Sequence, residues 1–178
     1  LLHTQGKYIT FKDSDDWSHP QLLEAQIKIL QNPGLKAVAS GFIRIDQESN
    51  IEFKPEKPLN LAHITLCIKR DPVFKTIGFF DAVRAIADTE YINRIKLIWG
   101  ANAVEVVDSP LLIMTRSKQS ITGGGKLSLR WHGDRPICLR YWHDARKWHR
   151  IMSANQIDPY LPHPLDYRRF DVDEELLS

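Results

Sequence analysis

The sequence predicts an α/β fold, and three observations carry that reading. Segments rich in β-branched and aromatic residues alternate with segments whose apolar residues recur at helical spacing. A first helix is announced by Ser18-His19-Pro20-Gln21, which has the form of a capping box with Ser18 as cap. Leu22, Leu23, Ile27 and Leu30 then form one apolar stripe. A second helix follows from Asp88, where Tyr91, Ile92, Ile95, Ile98 and Trp99 make a wide apolar face and Gly100 closes it.

The remaining elements fall into place around these two. Tyr8, Ile9, Thr10 and Phe11 favour an extended strand, which Ser14 and its acidic neighbours stop. Asn32-Pro33-Gly34 ends the first helix. Leu35 to Ile45 reads as a strand with Gly41 as a bulge, and Ile51 to Phe53 as a short one. Asp46–Asn50 and Pro55–Pro58 read as turn and loop. His63 to Ile68 has the look of a buried strand, Pro72 starts a short helix through Ile77, and Gly78 to Asp81 turns the chain. Val104–Val107 and Leu111–Thr115 read as two more short strands.

From Ser117 the character changes. Gly123-Gly124-Gly125 reads as a joint and matches no phosphate-loop spacing. Beyond it Cys138, Tyr141, Ala145, Trp148 and Met152 form a helical stripe, with Arg135, Arg140, Arg146, Lys147 and Arg150 mostly off it and Asp144 placed to pair with Arg140 and Lys147. The tail from Gln156 reads as extended or partly disordered. The expected division is therefore 1–116 and 117–178.

Composition limits the possibilities. An apolar share of 43% is enough for a real core, and a net charge of +2 makes no case for nucleic acid. Cys67 and Cys138 form neither a metal spacing nor a disulfide framework, which fits a reducing, cytoplasmic setting. The basic face of the last helix suits either solvent or the inner face of an anionic membrane. The chain opens on Leu1 rather than Met and reaches the first strand at once, which reads as a fragment of something longer.

The chemistry centres on Asp13, Asp15 and Asp16, at the carboxyl end of the first strand, where open α/β sheets bind their ligands. Adjacent carboxylates repel one another, and Mg²⁺ or Mn²⁺ would relieve that and bring phosphates with it. A plain turn and helix cap is the competing explanation of the same residues. Asp88 and Glu90 form a second acidic site, some seventy residues on. There one carboxylate could take a proton from a hydroxyl while the first cluster holds a metal. For Asp88, too, a helix N-cap is the plain alternative. His132, His143 and His149 match no ligand spacing and read as surface or satisfied core positions.

The residues also carry a resemblance. Gly6-Lys-Tyr-Ile-Thr-Phe-Lys-Asp13-Ser-Asp15-Asp16-Trp17, His19-Pro20, Leu66-Cys-Ile-Lys-Arg70, Ile77-Gly78-Phe-Phe-Asp81 and Ala87-Asp88-Thr-Glu90-Tyr91 occur in that order. The series resembles glycosyltransferase family 2 over residues 6 to 116. The resemblance implies an inverting, nucleotide-sugar-dependent enzyme with a GT-A fold, here a partial GT-A-like mixed sheet. It implies Asp13 near the donor ribose, Asp15 on the metal and diphosphate, Asp16 as a further donor-side acid and Asp88 as catalytic base. Glu90 and Arg70 would lie on the acceptor side. The implied partners are a nucleotide-sugar donor and a carbohydrate or lipid-linked acceptor, in polysaccharide or glycoconjugate synthesis. Lys12 and Ala87 depart from the family's usual residues without removing a proposed catalytic group. The nucleotide-base strands that the family places before the acidic strand would lie upstream of Leu1, so this fragment alone is expected to bind donor poorly. Two rival classes are a metal-dependent phosphotransferase and a non-catalytic half-domain for assembly. A haloacid-dehalogenase-type phosphatase wants a small residue where Trp17 stands, and an assembly module would be indifferent to Mn²⁺.

Overall fold

A computed structural model describes residues 1–45, 48, 50–52, 60–115 and 136–177. In chain order the elements are β1 (Tyr8–Thr10), β2 (Trp17–Ser18), α1 (Leu22–Leu30), β3 (Ala37–Ile45), β4 (Ile51–Glu52), β5 (Asn60–Lys69), α2 (Arg70–Ile77), α3 (Ala87–Trp99), β6 (Val104–Thr115) and α4 (Pro136–Ala154). The strands make one mixed sheet in the order β1-β5-β3-β6-β2, with β4 added to β3. β3 runs parallel to β6 and antiparallel to β5, and β1 and β2 form the two rims. This is a mixed α/β architecture compatible with a partial GT-A-like fold.

Alternation along the strands assigns side chains to the two faces. Leu66 and Ile68 of β5, with Ile9 and Ala37, pack against Val73 and Ile77 of α2 and Tyr91, Ile92 and Ile95 of α3. Cys67 and Val38 point the other way, into a cluster with Leu30 and Leu35. Helices thus cover both faces, which is why β5 reads as a nearly continuous apolar run. Burial pushes the Cys67 thiol up to about 11.

The sheet bends where β3 and β6 are irregular. The β3–β6 register shifts on both sides of Gly41, which stands level with Pro110. A proline cannot donate to a ladder, and a bulge beside it absorbs the loss. Gly41 therefore is the bulge that its sequence context predicts, and the two short strands expected at 104–107 and 111–115 are one strand. β1 pairs with the first half of the bent sheet, Thr10 opposite Cys67. β2 pairs with the second half, Trp17 opposite Ile113.

Two details of the first helix are corrected. Ser18 is not its cap but a strand residue paired with Leu112, and the His19 N–H continues that pairing to Leu111 O. The helix starts later, with Gln21 at the N-cap position and no side-chain cap bond. Its buried edge is Leu22, Gln26 and Leu30, whereas Leu23 and Ile27 are exposed. Gln26 takes the core position because its Nε2 donates to Thr65 O at 2.5 Å. That bond satisfies the amide's donor, while its buried Oε1 has no partner among the described residues.

The C-terminal segment is packed rather than loose. Ile137, Cys138, Tyr141 and Ala145 of α4 close over Val83, Ala85 and Ile86, with Phe170, Val172 and Leu176 of the tail beside them. The tail returns to the 77–84 turn. Phe79 N–H donates to Leu161 O, Leu161 N–H to Ile77 O and Arg84 N–H to Leu176 O. Arg140 pairs with Asp173 rather than Asp144, which instead meets His143. The glycine run 123–125, Arg135, His132 and most of the 46–58 turn and loop lie outside the described residues.

Gly78 is the close-approach point of this docking. Its φ is +71°, and a Cβ there would stand 2.1 Å from Leu161 O. Both the backbone conformation and the contact exclude a side chain. Gly78→Ala is expected to lower the unfolding free energy by about 2 kcal/mol or more. Urea denaturation measures it, and an unchanged midpoint would remove the close approach.

Candidate functional site

The acids follow β1 directly. The chain must pass from Thr10 on one rim to Trp17 on the other, and it does so with a turn in which Asp16 N–H donates to Asp13 O. Asp13 and Asp15 are exposed, while Asp16 is only 8% exposed. Asp16 hangs on the bent half of the sheet. Its carboxylate accepts from the Thr115 backbone N–H and feels Arg44. Its Oδ2 is buried without a hydrogen-bond partner, as is the Ser18 hydroxyl.

The electrostatics of the turn are those of uncompensated negative charge. Burial, then Asp15, then Asp13 push the Asp16 carboxyl up to about 6 against the pull of Thr115 and Arg44. Burial, then Asp15, then Asp88 raise Asp13 above its ordinary value. The last of these joins two acids far apart in sequence: Asp88, on α3, acts on Asp13.

Packing explains why α3 comes to the turn. Phe11 leaves β1 toward the α2–α3 face and meets Phe80 edge-on, centroids 4.9 Å apart. Phe80 stacks on Tyr91 at 4.2 Å. The three rings link the chain two residues before Asp13 to the helix three residues after Asp88. Asp88 itself is not the helix cap. That position belongs to Ile86, at φ +61° and with no side-chain cap bond. Asp88 Oδ1 accepts from the Thr89 N–H at 2.7 Å and the Thr89 hydroxyl at 3.3 Å. The same hydroxyl lies 2.6 Å from His63 Nδ1. Asp88 Oδ2 has no hydrogen bond among the described residues, and the residue is half-buried.

Two sequence-stated positions stand elsewhere. Glu90 does not face a cleft. It is fully buried, bound through both oxygens to Arg94 Nε at 2.8 and 2.9 Å and through Oε1 to His149 Nε2 at 2.8 Å. Burial alone would raise its carboxyl, but Arg94 and His149 outweigh it and hold the group below the ordinary range. Arg70 lies beside Lys7, at the amino end of β1, because its N–H donates to Lys7 O. The acids leave the opposite end, and the Arg70 guanidinium is engaged by Asp71 at 2.7 Å. Glu90 is thus engaged in the core, and Arg70 lies at the other end of β1 from the acids.

Residues to which the sequence assigned no role in the site complete the picture. Asp81 is buried and accepts from the Tyr141 hydroxyl at 2.9 Å and from Arg168. Arg94 also donates to Ile77 O and Phe79 O. The Glu90–Arg94 spacing of four was a readable helix pair. Tyr141 stood in the α4 stripe and His149 among the positions read as surface or satisfied core, but nothing in the sequence signalled Arg168 or the partners of any of the three, which lie more than fifty residues away.

A cation fits this donor set. Among the described residues no three ligating side chains form a ready-made cage. Mg²⁺ and Mn²⁺ need none, since one or two carboxylates with water and substrate phosphates complete their shell. Asp15 raises both Asp13 and Asp16, Asp13 adds to Asp16, and one Asp16 oxygen is orphaned, a charge imbalance that such an ion would relieve. No helix among the described residues is long and apolar enough to cross a membrane.

Comparison with protein-family models matches residues 1–92, more than half of the chain, to the family described as Glycosyl transferase family 2. No curated protein matches the chain.

Asp16 gives the fold a measurable pH dependence. Its folded value of about 6 lies above an unfolded value near 3.8, so the folded state holds the proton more tightly between them. That contribution is fully present below about pH 4 and is lost as pH rises through 6. Asp16→Asn keeps an acceptor for Thr115 and removes the charge. It is expected to be more stable than wild type at pH 7 by on the order of 2 kcal/mol and to match it at pH 4. Parallel unfolding curves at all pH values would refute the assignment.

Proposed function

The chain belongs to glycosyl transferase family 2, and from that membership we propose that it serves sugar transfer from a nucleotide-sugar donor to an acceptor hydroxyl with inversion. The observation that carries this reading is the electrostatic influence of Asp88 on Asp13, two acids far apart in the sequence. A transferase needs that pairing of functions: one acidic group for the departing diphosphate and another for the attacking hydroxyl.

In the proposed step Asp88 accepts the proton of the acceptor hydroxyl as its oxygen attacks the anomeric carbon. A carbon–oxygen bond forms on one face of the sugar. The bond from the anomeric carbon to the phosphate oxygen breaks on the other, and its electron pair leaves with the nucleoside diphosphate. Asp88 Oδ1 is oriented by Thr89, which leaves Oδ2 for the proton. Asp13 orients the donor ribose, and Asp16 anchors the turn to Thr115. Mg²⁺ or Mn²⁺ held by Asp15 supplies positive charge opposite the leaving diphosphate when bound. Polysaccharide or glycoconjugate synthesis at the cytoplasmic side is the setting we propose. The exposed Arg146, Lys147 and Arg150 of α4 suit contact with an anionic membrane face.

Two variants of the full-length protein test the roles. Asp88→Asn is expected to lower kcat by about 10³-fold while donor affinity stays within about twofold. Turnover like wild type would remove Asp88 as the base. Asp15→Asn is expected to abolish the response of transfer to Mn²⁺ titration, and an unchanged metal response would exclude Asp15 as the ligand.

A further inference from the structure

The family match ends at residue 92, yet the segment carrying Asp88 is also held from beyond that point. Little of local origin fixes the start of α3. Ile86, a β-branched residue, sits in the left-handed region at φ +61°, and no side chain caps the helix. Such a conformation persists only where the surroundings over-determine it. Those surroundings are α4 and the tail. Ile86 is packed in the cluster of Ile137, Cys138, Tyr141 and Leu176. Before Asp88, Tyr141 and Arg168 hold the Asp81 carboxylate, and Arg168 also donates to Ala82 O at 2.6 Å. After Asp88, His149 holds Glu90.

We propose that α4 and the tail form a positioning clamp for Asp88, with His149 its key positioning residue for the transfer step. The proposal rests on the functional reading above. His149 touches no reacting atom. An ionised Glu90 only accepts, so His149 must carry its hydrogen on Nε2 and donate. That bond pins Glu90 between α4 and Arg94, and Glu90 lies two residues from Asp88 in the first turn of α3. Loss of the bond leaves the fold's apolar contacts in place and lets the first turn shift. A displacement of about 1 Å at a catalytic group is enough to cost a large factor in rate.

Kinetics of the full-length protein test this with a panel of nucleotide sugars. His149→Met keeps volume but has no donor, and is expected to lower kcat about tenfold with donor KM within about twofold. His149→Gln places an amide N–H near the Nε2 position and is expected to recover kcat to within about threefold of wild type. Tyr141→Phe removes only the hydroxyl on Asp81 and is expected to lower kcat in the same direction, again without a change in KM. It stands in for the Met variant should that one fail to fold. Unchanged kcat in the Met and Phe variants would overturn the clamp, as would a Gln variant no better than Met. Should wild type transfer no sugar from any donor, the functional reading fails instead, and the clamp with it.

Discussion

The buried Glu90–Arg94 pair is the constraint to which much of this structure answers. Neither side chain is exposed to solvent. Taking two charges out of water costs several kcal/mol for each, and only saturated hydrogen bonding makes that tolerable. The guanidinium is satisfied by both Glu90 oxygens and by the carbonyls of Ile77 and Phe79. The carbonyl between them, Gly78 O, takes the Tyr91 hydroxyl at 3.1 Å. Three successive carbonyls therefore turn toward α3. A chain does that only through an unusual backbone conformation, and Gly78 supplies it. The tight turn, the helix and the returning tail are solutions to one requirement, the pairing of a charge that cannot reach water.

The acidic turn obeys the opposite rule. Its charges are left poorly compensated: burial and the neighbouring Asp15 raise both Asp13 and Asp16. The same chain thus holds one carboxylate that is fully matched and, some seventy residues earlier, others that are not. The matched one, Glu90, does structural duty. The unmatched ones keep an electrostatic imbalance of the kind found at functional sites. This contrast separates the two kinds of acid more clearly than their spacing in the chain does.

That separation was the part least legible in the sequence. Strand and helix periodicity located β1, β3, β5, α3 and the α4 stripe well, because burial on one face leaves a regular imprint. Gly41 was readable for the same reason: a glycine within a β-branched run marks a bulge. The capping signature at Ser18 misled, since pairing with β6 drew the backbone into a ladder and delayed the helix. Gln26 was missed because a polar residue in an apolar stripe looks like solvent until its carbonyl partner is known. Glu90 and Asp88 share a motif and differ only in what surrounds them. The histidine and the arginine that make Glu90 structural come from a distant segment and from the next helical turn.

The tether between β1 and β2 has a mechanical meaning. Residues 11 to 16 belong to neither strand, yet they tie together the two outermost strands of a bent sheet. Because the cord joins the two rims, a change in its length would change the curvature of the sheet. A displacement of this turn would thereby reach Trp17, on the far rim, and Thr115 of the neighbouring β6 as well as Asp13.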